Sequence, residues 1–397
     1  MTGLWAPAHW REAQTIARQQ AVLATTERVA GETVIRLTTS GMNDSMGPAE
    51  LSHGGFSMHM ADALISPAVG LTMWAVTGGC VAQAVRRLRN ETTELPLPRM
   101  GLLGAFVFAA QMINFSIPGT GSSGHLAGGL LLTLLLGPNA AILVMATVLT
   151  IQALLFADGG LLALGCNIVN MAVVPAYVAY PLVYRPLATL SNSSSARRRL
   201  ATVLAAMVGL ELGAFAVVVQ TLLSGVTPLS FATFAALMLP IHLAIGLVEG
   251  IATVAVVEWL ERVRPETVRK PAQAGSRVAA ILGLATLFIA GFLSWWASNQ
   301  PDGLEWSLQR TAPGWEESPP PSKLHAALAR VQQRTSWFPD YAFASPGEQE
   351  PANETPAWPT VSLGTSLAGV LGSVIVLGAT VAVGLLVRPR ARQAPTP

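Results

Sequence analysis

Apolar residues fall into nine blocks along the chain, at about 68–85, 100–117, 122–137, 139–157, 161–184, 200–224, 231–258, 278–297 and 361–387. Each approaches the roughly 20 mostly apolar residues that a helix needs to cross a bilayer. The third is short and rich in glycine, and only Gly137-Pro138 divides it from the fourth. Proline cannot continue a helix interior, so a tight turn is expected there. Residues 1–57 have no comparable run; their longest apolar stretch is Ala21-Val22-Leu23-Ala24. Between the last two blocks, 298–360 is rich in proline, tryptophan and acidic residues. The pattern predicts an all-α integral membrane protein in three parts. A polar leader covers 1–57, a seven-span bundle covers 58–265, and a two-span hairpin covers 275–397 with 298–360 as its external loop. No internal repeat of fixed period is present.

Composition agrees. The chain is 51% hydrophobic and only 12% charged, against about 25% charged in a soluble domain, so an aqueous surface over its whole length is excluded. A net charge of +2 makes no case for nucleic acid and leaves membrane lipid as the bulk environment. The two cysteines, Cys80 and Cys166, both sit in apolar blocks and supply neither a disulfide framework nor a zinc motif.

The placement of arginine and lysine orients the spans. Arg86, Arg87, Arg89 and Arg99 lie between the first two blocks, and Arg185, Arg197, Arg198 and Arg199 precede the sixth. Arg262, Arg264, Arg269, Lys270 and Arg277 precede the eighth, and Arg388, Arg390 and Arg392 follow the last. If each block crosses once, all four clusters share one side, the cytoplasmic one. The other side receives 58–67, 118–121, 158–160, 225–230 and 298–360, and the first four of these contain no Lys or Arg. The Met58 end and the 298–360 loop are then extracytoplasmic, with the C-terminus cytoplasmic.

The leader lacks the apolar region of roughly 7 to 15 residues that a secretory signal needs. It reads either as a disordered cytoplasmic tail or as the product of a misplaced start. The second reading is preferred, since GGAGG-type ribosome-binding DNA encodes pairs such as Gly54-Gly55, and it makes Met58 the first residue.

Ionisable and amide side chains inside spans are costly and are functional candidates. Here they are Gln111, Asn114, Gln152, Asn167, Asn170, Glu211, His242 and Glu249. His242 and Glu249 are seven apart, about two turns, and share a helix face; a structural contact between helices and a role in transport both fit them. A free amine on Met58, the amide nitrogen of His59 and its imidazole can close fused five- and six-membered chelate rings on one cation. One further imidazole completes a square of nitrogens, which suits Ni(II) or Cu(II). His125 ends the glycine-rich run Gly119-Thr120-Gly121-Ser122-Ser123-Gly124; it fits a metal ligand or a helix-capping contact. Gly121-Ser122-Ser123-Gly124 also admits an intramembrane serine protease with Ser123 as nucleophile and His242 as base.

Met58-His59-Met60-Ala61-Asp62-Ala63-Leu64-Ile65-Ser66-Pro67 resembles the N-terminus of the CbiM/NikM substrate-capture subunits of energy-coupling-factor cobalt and nickel transporters. Asn114 with Ile117-Pro118-Gly119 through His125-Leu126-Ala127-Gly128-Gly129, and the run from His242 to Glu249, look like two further signatures of that family. Asn299-Gln300-Pro301-Asp302-Gly303-Leu304-Glu305-Trp306 is similar to the PDGLE domain of NikN-type subunits, so the whole chain resembles a fused NikM–NikN protein.

This resemblance implies a Ni2+ or Co2+ ion, as transported substrate, held by the Met58 amine, the amide and imidazole nitrogens of His59, and His125. It implies supporting roles for Asp62, Asn114, His242 and Glu249, and no prosthetic cofactor. The PDGLE domain favours nickel. The expected protein is a transporter subunit of the bacterial cytoplasmic membrane, not an enzyme. The chain has no Gly-x-x-x-x-Gly-Lys-Ser/Thr loop, so the implied partners are a coupling transmembrane subunit of the CbiQ/NikQ kind and ABC ATPases of the CbiO/NikO kind.

Overall fold

The computed structural model describes residues 22–29, 32–39, 59–90, 95–189, 194–263, 276–312, 322–342 and 358–388. Two compact units divide the chain, residues 1–53 and 54–397. In the first, β1 (Val22–Val29) pairs antiparallel with β2 (Glu32–Thr39). Both segments are rich in Val, Ile and Thr, the β-branched residues that strands favour.

The second unit is helical. A 3-10 turn at Asp62–Leu64 leads into α1 (Pro67–Asn90) and α2 (Leu97–Gln111). A short hairpin of β3 (Phe115–Ile117) and β4 (Ser122–Gly124) follows, then α3 (Gly129–Leu136) and α4 (Pro138–Leu155). Helix α5 (Leu164–Ala188) is wound as a π-helix from Val169 to Tyr184, where Pro175 and Pro181 each remove a donor from the ordinary ladder. Next come α6 (Ser195–Ser224) and α7 (Phe231–Val263). The remainder is α8 (Ser276–Gly291), α9 (Gly303–Thr311), α10 (Lys323–Thr335) and α11 (Leu363–Val387).

Among the described residues six helices are long and apolar enough to cross a membrane: α1, α4, α5, α6, α7 and α11. Five of them belong to 58–265, so helix length does not confirm seven spans there. Two of the expected spans fall short: α2 has only 15 residues, and α3 is cut shorter still by its backbone. Positive φ at Gly128 and Gly137 stops α3 after eight residues, about 12 Å of helix against a hydrocarbon core of about 30 Å. The rest of the predicted third block is spent on β4 and the loop after it.

Helices α6 and α7 pack along their length through small residues. A side chain on Gly246 would come within 2.9 Å of the Met207 Cα, and one on Gly250 within 2.7 Å of the Val203 Cα. Helix α11 lies against α2 and α4, α9 against α7, and α10 against α4. The second module is therefore interleaved with the first. Helix ends rich in arginine meet one another: Arg89 donates to the Leu386 carbonyl at 3.1 Å, and Arg199 pairs with Glu258 across α6 and α7.

Candidate metal site

An extended segment needs partners for its backbone groups, and the stretch that begins at His59 finds them on the α4–α5 connection. Asn167 grips Met60 on both sides, accepting from its N–H at 3.2 Å and donating to its carbonyl at 3.1 Å. The Gly160 N–H donates to the same carbonyl at 3.1 Å, and the Asp62 carboxylate accepts from the Ala163 N–H at 2.8 Å. Asp62 thus fastens the segment to the chain between α4 and α5. Gly159, at φ +85°, lets the chain pass beneath His59, whose Cβ lies 2.8 Å from where a Gly159 side chain would begin.

These contacts bury His59 against Asp158, with Nδ1 2.9 Å from a carboxylate oxygen. The other carboxylate oxygen accepts from the Tyr341 hydroxyl at 2.7 Å. Burial works against the charged imidazole, but the Asp158 carboxylate more than reverses this and leaves the His59 pKa above its ordinary value. Burial raises the Asp158 carboxyl in turn, and His59 and Tyr341 together hold it below the ordinary carboxylate range.

His125 arrives from the other side. The β3–β4 hairpin delivers it into a glycine-rich loop whose Ala127 and Gly128 N–H groups each donate to one oxygen of Glu249, both at 3.1 Å. Glu249 belongs to α7, so its role is to hold the His125 loop. His125 Nδ1 lies 3.2 Å from the Leu126 carbonyl, and its ring centroid is 5.5 Å from that of His59 at an interplanar angle of 52°. The two rings, brought together from positions 66 apart in sequence, line a cavity of about 90 Å³. Asn167, His242, Glu249 and Asp302 also line it, with apolar residues of α5 and α6 below.

The second module closes this end. Ser123 pairs through its backbone with Pro301 at 2.8 Å, and its hydroxyl donates to the Gln300 carbonyl at 2.7 Å. Trp306 donates to the Thr120 carbonyl, His325 Nε2 lies 2.9 Å from the Ile65 carbonyl, and Gln332 donates to Ala153 and Gly159. Asp302 caps α9 by accepting from the Glu305 N–H at 2.8 Å. Burial pushes the Asp302 carboxyl up to about 6.

A buried hydrogen-bond chain links both histidine segments. Gln111 donates to the Ala127 carbonyl at 2.9 Å and accepts from Gln152 at 3.0 Å. Gln152 also donates to the Tyr341 oxygen at 3.1 Å, and Tyr341 continues to Asp158 and so to His59.

Of the residues singled out in the sequence, Met58 lies outside the described residues. His59, His125, His242 and Glu249 meet at one cavity. Asn114 directly precedes β3 as His125 directly follows β4, and its carbonyl accepts from the Ser298 N–H. The Ser123–His242 pair of a hydrolase is not assembled: the serine hydroxyl goes to Gln300, and His242 Nδ1 lies 2.8 Å from the Met238 carbonyl of its own helix. Among the described residues no three His, Cys, Asp or Glu side chains come together as a metal group. The expected donor set draws on only two imidazoles and takes its other nitrogens from the backbone. Sequence reasoning passed over Asp158, Asp302 and Tyr341; an acid in a loop beside a span end was the signal available for the first two.

Residues 59–267 match the family described as cobalt uptake substrate-specific transmembrane region, CbiM, and residues 276–389 match the PDGLE domain. The chain is 33% identical to the fused nickel transport protein NikMN of Rhodobacter capsulatus, over 72% of this chain and 88% of that one. It is also 33% identical to a protein of Archaeoglobus fulgidus that bears the same fused NikMN name, over 81% of this chain and 96% of that one. The cobalt transport protein CbiM of Geobacter sulfurreducens is 28% identical, over 62% of this chain and 75% of its own.

Proposed function

Because the chain belongs to the CbiM family of cobalt-uptake membrane proteins and carries a PDGLE domain behind that region, we propose that it captures transition-metal ions for uptake, nickel in preference to cobalt. It is a multi-pass membrane protein. The observation that carries the reading is the meeting of His59 and His125, rings 5.5 Å apart, at the head of one cavity. The metal is held in a square of nitrogens from the Met58 amine, the amide and imidazole of His59, and the imidazole of His125. Such a site needs the Met58 amine to be free, and the family match beginning at residue 59 supports a functional boundary at that point. Nickel is preferred on the grounds of that square geometry and of the fused nickel relatives.

Among the described residues the polar groups around the two rings hold the histidine segments in place, and Ser123 and His242 each bond elsewhere, which fits a capture subunit. Energy then comes from elsewhere: a coupling membrane subunit and ABC ATPases in the bacterial cytoplasmic membrane. His59 and the 298–360 loop of the second module face outward, and the arginine-rich helix ends face the cytoplasm.

N-terminal sequencing of the protein isolated from its own membranes, beside calorimetric titration with Ni(II) and Co(II), tests this. Tight binding that disappears in His125→Ala is expected. Equally tight binding by a preparation whose residues 1–57 are intact would refute the free-amine chelate, and unchanged affinity in His125→Ala removes the fourth ligand.

A further inference from the structure

We propose that Asp158 is the counter-charge of the captured cation and that Tyr341, from the second module, is the positioning residue that holds it in place. This rests on the metal reading of His59 given above.

The charge balance comes first. A divalent ion bound by an amine, a deprotonated backbone amide and two neutral imidazoles carries one net positive charge. A buried cationic complex is costly without a compensating anion. Asp158 is a buried carboxylate in contact with His59, 2.9 Å from its Nδ1. The six-membered chelate ring requires that same nitrogen, so capture gives up the 2.9 Å contact. The carboxylate, fastened through its other oxygen by Tyr341, remains beside the cation.

Tyr341 is itself fixed on every side. Its ring stacks on Phe156 with centroids 4.8 Å apart, and its oxygen accepts from Gln152. Through Gln152 and Gln111 the same chain reaches the Ala127 carbonyl, two residues from His125. The backbone carries a second, independent sign. Among the described residues three that are not glycine have positive φ: Ala157 at 54°, Asp340 at 53° and Tyr341 at 58°. Ala157 and Asp340 flank the Asp158–Tyr341 contact, and Tyr341 is one of its partners. Strain of this kind persists only where the surroundings enforce it, and it concentrates at ligand clamps. Backbone bonds from Phe338 to the Leu155 carbonyl and from Asp340 to the Phe156 carbonyl, both 3.0 Å, do the enforcing.

The test is a double-mutant cycle on the full chain with Ni(II) titration and the d–d absorption of the loaded protein as readouts. Asp158→Asn is expected to weaken Ni(II) binding about 10- to 100-fold, the usual effect of removing an outer partner of a metal ligand. Tyr341→Phe, which deletes one hydroxyl, is expected to weaken it by a smaller factor. The double variant should bind like Asp158→Asn alone, because Tyr341 acts through Asp158. At saturating metal the d–d band should keep its position in all of them, since neither residue is a ligand. Arg330→Ala, exposed on α10, serves as the control of unchanged affinity.

Unchanged or tighter binding in Asp158→Asn overturns the counter-charge. A further loss in the double variant overturns the relay through Asp158, and a shifted band makes Asp158 a ligand instead. If Asp158→Asn does not fold, Tyr341→Phe decides: unchanged affinity there overturns the proposal. A wild-type protein that binds neither Ni(II) nor Co(II) removes the metal reading itself, whereas a binding wild type with indifferent variants removes this inference alone.

Discussion

Glu249 holds the His125 loop by two backbone N–H groups, one on each carboxylate oxygen. Glutamine keeps the size but offers one acceptor, so one buried donor loses its partner. Glu249→Gln is expected to lower stability by about 1–2 kcal/mol and to weaken Ni(II) binding by loosening His125, as thermal unfolding in detergent and titration would measure. Asp302 gives a prediction in pH. Its ordinary value is 3.8, and burial raises it to about 6 in the folded protein. An acid whose folded value is raised favours folding while protonated, so that favour is lost as pH rises between these two values. Asparagine caps a helix as well as aspartate and carries no charge. In the metal-free protein Asp302→Asn should therefore raise the unfolding temperature near neutral pH and leave it unchanged below about pH 4. A gain that is equal at all pH values would place its cause elsewhere.

At the scale of elements, the apolar blocks were legible because burial in lipid demands nearly continuous apolar sequence, and most block boundaries fall within a few residues of a helix end. The end of α3 at Gly137-Pro138 was legible too, but its start was not, because hydropathy records composition and not φ: Gly128, at φ +77°, delays the helix to residue 129. The two histidines were legible from residue type and local motif. Asp158 and Tyr341 were not, since their meaning lies in contacts across 99 and 183 residues of sequence, and no local pattern encodes such a distance. The turn between α4 and α5 is the element on which these contacts depend. Gly159 has φ +85°, and its missing side chain leaves room for the His59 Cβ. Gly159→Ala is expected to displace His59 and reduce Ni(II) affinity at least tenfold, whereas the same change at the open Gly378 should leave affinity intact. Calorimetry on the pair of variants checks this.

For the whole molecule, the telling feature is that the second module adds its own backbone to the first: the Ser123 N–H donates to the Pro301 carbonyl, and Ser123 forms a single parallel bridge with Asp302. Main-chain pairing of this sort is tolerant of side-chain identity, and a single such bond contributes only about 1 kcal/mol. Joined by the connection at 264–275, the two modules meet at an effective concentration on the order of millimolar, which adds to the packing of α11 on α2 and α4 in keeping the histidines covered. A protease site placed in that connection and cut after purification turns a unimolecular closure into a bimolecular one. The cut protein should then lose its grip on nickel on dilution, while the intact chain holds the ion equally well at any protein concentration. Fusion in one polypeptide, on this view, makes retention of the ion independent of how much of the protein the membrane contains.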